Sequence, residues 1–484
     1  MKYKPYIIYS LIPIKILVIM SVICPLDINN FKKGNEMLPI IRESQRKRGK
    51  SQSIVDEVIC LNEEWRIIRH ELDSLNRDAN DTAKKCSVEK DSEKKASLIQ
   101  QGKELKQTIL LLEVKVQKAL EDRDKKFDSI GNIVHDSVPV SMDEKDNTVL
   151  KIWGSPKEKT NDLKHHHELL HMIGGYEAET GAKVAGHRGY YLTGMGMLLN
   201  NALVQYGLRF LAQKNYIPVQ TPYFMKQTVM KKVASLAEFD EALYKVEGNE
   251  DDEPMYLIAT SEQPICALNM NKSFSKKDLP IKYCGYSTNF RKEAGSHGRD
   301  AWGIFRIHQF EKIEQFVLCH PEKSWAMQEE MMQISEEFYQ SLNLPYHIIN
   351  IVSGELNNAA ARKYDLEAWF PTLGCYRELV SCSNCTDYQS KRLNVKFNTK
   401  TENNTQLYVH LLNSTLTATE RTLCCILENY QTDKGIMIPD VLKPFMEPFT
   451  TQFEDPNVIP FINSPPKVNK GGKGQLKNKM KENK

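Results

Sequence analysis

GYSTNFRKEAGSHGRDAWGIFRIHQFEKIEQF, from Gly285 to Phe316, is the stretch that decides the fold. Two apolar-aromatic pieces, YSTNFRKE and GIFRIHQFEKIEQF, flank the loop AGSHGRDAW, a pattern that predicts an antiparallel hairpin. In the second piece Ile304, Arg306, His308, Phe310, Lys312, Glu314 and Phe316 lie two apart, so a strand would carry them all on one face. Phe305, Ile307, Gln309, Glu311 and Ile313 fall on the other face, and Arg291 and Glu293 are expected on the facing strand. Burying so many charges is expensive for every ion left unpaired. The face therefore suits a ligand of both signs, with guanidinium for phosphate or carboxylate and carboxylate for ammonium. A solvated charged face on an edge hairpin is the plainer alternative.

The chain has 484 residues, enough for two or three domains with a sizeable core. Apolar content of 41% and charged content of 26% are those of a soluble globular protein. A net charge of +3 is too small to predict polyanion binding, so the distribution of charge matters more. Eleven cysteines, odd in number and unevenly spaced, argue for reduced thiols and a cytosolic-type compartment. No repeat of solenoid period is present. The hydrophobic run Tyr6 to Cys24, after Lys2 and Lys4, reads as a weak signal peptide or anchor, but Pro13 and Lys15 interrupt it. An upstream extension without function, organelle targeting and a membrane anchor are its readings, in that order.

Beyond it, Val58, Leu61, Trp65, Ile68, Leu72, Leu75 and Ala79 step by threes and fours, which is a heptad seam. A second seam, Leu98, Leu105, Ile109, Leu112, Val116 and Ala119, follows the polar interval NDTAKKCSVEKDSEKK. Two seams joined by one link predict an antiparallel helical hairpin, with helices about 35–40 Å long that project as an arm. A dimerisation coiled coil or a spacer would have the same pattern. Arg42, Arg46, Lys47, Arg48 and Lys50, just before the arm, are candidates for phosphate contacts.

Several shorter signals compete for a role. HELLH at His167 to His171 is a literal HExxH, but Glu177 occupies the third-histidine position of the longer zinc motif. An amphipathic helix burying Leu169, Leu170 and Ile173 is the simpler expectation. Cys382 and Cys385 form a single CxxC, a poor zinc site without a second pair. Thr260, Ser261 and Glu262 follow a short strand, where hydroxyls commonly cap the next helix. Leu198 to Leu211 is helical in period, and NYIPVQTPYFM after it is a strand whose prolines suit a sheet edge. HLLNSTLTATERTLCCILENYQ is a strand, a bend and a helix. Arg421 near that helix start is unfavourable for the macrodipole unless an anion binds there. The lysine-rich end, PPKVNKGGKGQLKNKMKENK, is expected to be disordered.

FRKE, a glycine-bearing loop and FRIHQFEKIEQF resemble motif 2 of the class II aminoacyl-tRNA synthetases, in the form carried by seryl-tRNA synthetases. The segment GAKVAGHRGYYLTGMGMLLNNAL resembles the entry to their catalytic domain, the helix and strand ending at Pro222 their motif 1, and the segment with Arg421 their motif 3. The resemblance runs from Leu26 to about Ile462. It implies an α+β fold: a class II catalytic domain, an antiparallel sheet flanked by helices, preceded by the long helical-hairpin arm. The expected layout is an extension at 1–25, a tRNA-binding domain at 26–135, the catalytic domain at 136–463 and a tail at 464–484.

The same resemblance implies activation of L-serine by ATP to seryl-adenylate and transfer to tRNA(Ser), leaving tRNA(Sec) open, in a cytoplasmic homodimer without stable membrane association. Thr260, Arg291, Glu314, Asn413 and Thr415 would hold serine. ATP would meet Arg291, Lys292, Glu293, Ile307, His308, Gln309, Phe310, Glu378, Leu379, Val380, Ser381 and Arg421. Mg²⁺ would arrive with ATP on Glu378 and Ser381. Arg291 and Arg421 would be catalytic, neutralising phosphate charge; no general base stands out. Glu314 would accept from serine's ammonium and hydroxyl groups. A zinc protease through His167 and His171, and a silent synthetase-like binding protein, are the rival classes.

Overall fold

The structure, a computed structural model, describes residues 26–234, 242–248, 253–293, 303–400 and 406–466. The extension 1–25, the loop tip with Ala301 and Trp302, and the lysine-rich stretch after residue 466 lie outside the described residues.

The two heptad seams form helices α2 (Ser53–Val88) and α3 (Ser92–Phe127), packed as a hairpin. Leu72, Leu112 and Val116 are buried between them, with Trp65, Ile68, Leu75 and Ile109 around. Each helix has 36 residues, or ~54 Å, longer than the seams alone suggest. Most of the polar interval is itself helical, because Ala, Lys and Glu are strong helix formers. The link shrinks to Glu89–Asp91, where Asp91 caps α3 by accepting from the N–H groups of Glu93 and Lys94.

At the arm's base, helix α1 (Leu38–Lys47) packs through Leu38 and Ile41 onto Val55, Val58 and Ile130. The basic residues expected to meet phosphates are engaged within the chain. Arg42 pairs with Asp56 at 2.6 Å, Arg46 with Glu43 at 2.6 Å and Lys47 with Asp136 at 3.2 Å. Lys50 Nζ donates to Asn358 Oδ1 at 2.6 Å. Arg48 is buried, and its guanidinium donates to the carbonyls of Asn132, Leu356, Asn357 and Ala360. It ties the arm's base to the second domain. Gly131 permits its passage, since a Cβ there would lie 2.8 Å from Arg48 Nε.

The second domain is built on eight strands: β1 (Thr148–Trp153), β2 (Ile217–Gln220), β3 (Ile281–Phe290), β4 (Gln309–Cys319), β5 (Tyr346–Asn350), β6 (Arg362–Phe370), β7 (Cys375–Asn384) and β8 (His410–Ala418). Their order is β1-β5-β6-β7-β8-β4-β3-β2. Every pair is antiparallel except β2 with β3. Pro218 lies in β2, at the edge, where its missing N–H costs least. Helices α4 (His166–Met172), α5 (Gly194–Ala212), α7 (Ser324–Ser341) and α8 (Thr419–Tyr430) share one core with the sheet, including Leu169, Leu203, Phe338, Leu423 and Ile426. A short helix, α6 (Glu262–Leu268), contributes Ile265 to a second cluster with Phe316, Leu318 and Leu411.

The central hairpin is β3 and β4, but β4 begins at Gln309, later than the alternation predicts. Gly303 takes φ +65°, and the chain after it turns and drops Ile304, Phe305 and Ile307 into the core. Arg306 and His308 are therefore not on the β4 face. Arg306 reaches back to Glu293 at 2.5 Å, and His308 Nδ1 lies 2.9 Å from the Arg291 carbonyl. Arg291 and Glu293 follow the end of β3 and are not part of it. Within β4 the alternation holds. Ile313, Val317 and Cys319 enter the first core, while Lys312, Glu314, Phe316 and Leu318 point to the other side.

The HExxH segment is the buried amphipathic helix. Leu169 and Leu170 are fully buried, and Glu168 caps α4 by accepting the His165 N–H at 2.8 Å. Cys382 and Cys385 are buried in separate contacts, with Gln328 O and Asn413 Nδ2. Ten cysteines among the described residues are free thiols.

Candidate active site

Glu314 is the centre of the polar face. It lies opposite Gly285 on β3, and a Cβ at Gly285 would come within 2.6 Å of Ser261 Oγ. That glycine lets the turn Thr260–Glu262 press onto the sheet. Glu314 then accepts the Ser261 N–H at 2.7 Å, the Ser261 hydroxyl at 2.5 Å and the Thr260 hydroxyl at 2.7 Å. Lys312 Nζ lies 2.7 Å from the other oxygen and donates to Thr260 Oγ1 at 3.2 Å. The hydroxyl of Ser261 is thus spent on the carboxylate rather than on a helix cap. Burial pushes the Glu314 carboxyl up, but Lys312 and the two hydroxyls outweigh it and hold the group below its ordinary range. Burial holds the Lys312 amine below its own.

A bulge between Ile313 and Glu314 sets Glu314 opposite Thr415 on β8, with Asn413 opposite both Phe316 and Ser383. Thr260, Glu262, Glu314, Asn413 and Thr415 line a cavity of about 410 Å³ that also reaches Arg291, Glu378 and Ser381.

On the far side stand two arginines. Arg291 donates from Nε to the Ala259 carbonyl at 3.3 Å and lies 5.2 Å from the Phe310 ring centroid. Arg421, in the first turn of α8, donates to the carbonyls of Phe305 (3.2 Å) and Glu378 (3.3 Å) and packs on the Phe305 ring. Its guanidinium is 3.6 Å from the Glu378 carboxylate. Burial and the nearby Arg421 both push the Arg291 guanidinium below its usual range. Two cations converging on one cavity at a helix N-terminus call for an anion. Arg291, Ile307, Phe310, Glu378, Leu379 and Arg421 line this smaller space, of about 50 Å³.

A third space, of about 320 Å³, is lined by Glu355, Lys363, Asp365, Glu367, Glu378 and Arg421. Asp365 on β6 is opposite Ser381 on β7. It is buried, its Oδ1 has no hydrogen-bond partner among the described residues, and burial with Glu378 nearby pushes it up to about 7 against the pull of Lys363. An all-oxygen set of Glu378, Ser381 and the unpartnered Asp365 Oδ1 suits a hard cation such as Mg²⁺. Among the described residues no group of three or more His, Cys, Asp and Glu is placed to hold a metal ion. Mg²⁺ does not need one, because it takes one or two carboxylates and completes its shell with phosphate and water.

The sequence candidates thus converge from two sides. Thr260, Arg291, Glu293, Ile307, Phe310 and Glu314 line these cavities from the hairpin side. Glu378, Leu379, Ser381, Asn413, Thr415 and Arg421 line them from β7, β8 and α8. Lys292, His308, Gln309 and Val380 line none of the three. Val380 alternates into the core, the Gln309 side chain is exposed, and Lys292 and His308 contribute backbone pairing with Ala242 and Arg291. Lys312, Glu262, Asp365 and Glu420 border the site without having been assigned a role from sequence. Lys312 sat on the alternating face and was readable. Glu420 was not, since an acid in the first turn of a helix is ordinary.

The chain is similar to known proteins along most of its length. Residues 26–134 match the seryl-tRNA synthetase N-terminal domain, and residues 244–430 the tRNA synthetase class II core domain (G, H, P, S and T). A serine--tRNA ligase of Helianthus annuus is 55% identical over 426 residues, covering 87% of this chain and 97% of that one. The cytoplasmic serine--tRNA ligase of Arabidopsis thaliana is 52% identical, covering 87% and 94%. The crystal structure of the cytoplasmic enzyme of Naegleria fowleri in complex with AMP superposes with TM-score 0.76 at 47% identity, over 90% of this chain and 99% of that one. That of the Pyrococcus horikoshii synthetase complexed with ATP gives 0.75 at 37% identity, over 87% and 97%.

Proposed function

This chain belongs to the seryl-tRNA synthetase family and is a serine--tRNA ligase; on that premise we propose a role for each wall of its cavity. The serine carboxylate attacks the α-phosphorus of ATP, the bond to pyrophosphate breaks, and seryl-adenylate forms. The terminal ribose hydroxyl of tRNA(Ser) then attacks the seryl carbonyl and AMP departs. The observation that carries the assignment is a pair of cavities, one lined by Glu314 and the other by Arg421, that share Arg291, Lys312, Glu378 and Thr415 as walls.

Glu314 binds serine's ammonium and hydroxyl. Its oxygens already hold as many donors as they have lone pairs, so substrate must displace one. The Thr260 hydroxyl, whose single proton is shared between both oxygens, is the one that turns to the ligand. Asn413 and Thr415 complete the pocket. Arg291 meets the α-phosphate and Arg421 the outer phosphates, an electrostatic contribution aimed at developing charge. Attack by a bound carboxylate needs alignment and no proton transfer, which accounts for the missing general base. Glu378 and Ser381 would hold Mg²⁺, which supplies neutralisation of the phosphates when bound with ATP.

The arm carries tRNA, and two subunits meet through exposed apolar side chains such as Tyr191, Met197, Ile217 and Phe224. The expected compartment is the cytoplasm. No described helix is long and apolar enough to cross a membrane.

Pyrophosphate exchange driven by serine, alanine and threonine is the deciding experiment. Serine should drive exchange about 10⁴-fold better than alanine, because a site built to bond a hydroxyl is left unpaired by its absence. Threonine is refused by size. Arg291→Ala should abolish exchange. Comparable use of serine and alanine would overturn the assignment of the pocket, and aminoacylation of tRNA(Ser) and tRNA(Sec) separately would fix the acceptor.

A further inference from the structure

The hydrogen-bond ladder of β4 is incomplete at its start. Toward β3 it runs back to Gln309, which pairs with Phe290. Toward β8 it stops at Lys312, which pairs with Ala418, the last residue of β8. Gln309 to Glu311 therefore have a strand on one side only. The Glu311 N–H would be orphaned, yet it donates to both carboxylate oxygens of Glu420, at 3.1 and 3.0 Å. The Tyr190 hydroxyl lies 3.1 Å from the Gln309 carbonyl and 3.2 Å from Glu420 Oε1. Two side chains thus continue the ladder past the end of β8.

What they join is informative. Phe310 sits inside the segment so held, and Arg421 follows Glu420 directly. Phe310, Glu420 and Arg421 all line the smaller cavity. We propose that Glu420 is a positioning residue for the nucleotide, fixing the distance between Phe310 on β4 and Arg421 on α8. The proposal rests on the reading of this cavity as the ATP site and adds the residue that sets its width.

Glu420 is 2% exposed, and its environment is acidic. Facing it are Glu311 from β4, Tyr190 from the segment before α5, and Tyr286 from β3, which donates to Glu311 at 2.8 Å. Arg421 and Cys424 are its titratable neighbours on α8. Asn200 of α5 donates to the other Glu311 oxygen at 2.7 Å. Burial first, and the Glu311 charge second, push the Glu420 carboxyl up to about 8. It is neutral near pH 7, and as pH rises through about 8 it ionises against Glu311 and the clamp loosens.

The test is ATP affinity by calorimetry on the full chain without serine, together with the KM values for ATP and for serine in pyrophosphate exchange. Glu420→Ala should weaken ATP about tenfold, the loss of one to two buried hydrogen bonds, and leave the serine KM unchanged. Glu420→Gln, neutral and still an acceptor for the Glu311 N–H, should restore ATP affinity and abolish the weakening that the wild type shows between pH 7 and 9. Tyr190→Phe should give a smaller loss in the same direction, and it serves if Glu420→Ala does not fold. Wild-type ATP affinity in both Glu420→Ala and Tyr190→Phe would overturn the proposal. So would equal loss of ATP and serine, or an alkaline profile unchanged in Glu420→Gln. Calorimetric ATP binding does not depend on which amino acid is activated, so a failed serine assignment stays distinguishable.

Discussion

Replacing Lys312 by Met should reverse the way stability depends on pH. Lys312 and Glu314 are nearly inaccessible, with side-chain exposures of 8% and 5%, and their charged atoms are 2.7 Å apart. Removing one partner of a buried pair costs roughly 3–5 kcal/mol. Glu314 keeps the Ser261 N–H and the Ser261 and Thr260 hydroxyls, each a bond to a charged acceptor worth about 1.5–3 kcal/mol. The loss should therefore fall at the lower end, about 3 kcal/mol at pH 7.

The sign follows from linkage. In the wild type the Glu314 carboxyl is held below its unfolded value of 4.5. Its contribution is full above that value and is lost only as pH falls through the folded pKa. Without Lys312, burial dominates and lifts the folded pKa above 4.5. The fold then keeps a proton that the unfolded chain gives up, and stability falls as pH rises above 4.5. Denaturant midpoints at pH 5, 6, 7 and 8 read this as a gap between the wild type and Lys312→Met that widens as pH rises, the other buried groups titrating alike in both. The double variant Lys312→Met, Glu314→Gln should lose less than the single one, since no charge is stranded. A single variant that loses under about 1 kcal/mol, or whose midpoints run parallel to the wild type, would refute the reasoning.

Two further outcomes can be measured in the same way. Arg48→Met should cost about 3 kcal/mol, because four carbonyls lose a buried cationic donor, and protease sensitivity around residues 128–138 should rise; an effect confined to the salt dependence of tRNA binding would return Arg48 to the phosphate role. Glu428→Gln should remove an alkaline stability term: burial disfavours the His166 imidazolium, but Cys424 and Glu428 push it up to about 10, so the wild-type contribution is full below pH 6.5 and fades as pH rises through about 10, and the variant's denaturation midpoints should fall less over that interval.

The legible parts of the sequence were the periodic ones. Alternation from Gln309 to Cys319 and the two heptad seams depend on neighbours a few residues apart, and both fold as read. The start of β4 was misplaced because Arg306 and His308 continue the alternation, while the turn at Gly303 follows from packing on His166, far away in sequence. The pocket was beyond any local signal. Thr260 and Glu314 are joined by the hairpin register and by Gly285, and only resemblance to a family brought them together beforehand. Arg48 was misassigned for the same reason: a basic run looks identical whether its acceptors are phosphates or the carbonyls of a loop 308 to 312 residues on.

That loop joins the arm's base to the larger cavity. Asn357, Asn358 and Ala359 line the larger cavity together with Glu314 and Thr415. The same residues accept from the arm's base: Asn357 from Arg48, Asn358 from Lys50 and from the Asn132 N–H, and Ala359 from Asn132 Nδ2. Across the cavity mouth, Asp128 just past α3 pairs with Arg392 at 3.0 Å, and both line the cavity. Asp128 at the arm's base is therefore part of the cavity lining, and the base is tied to the opposite loop by half-buried polar contacts.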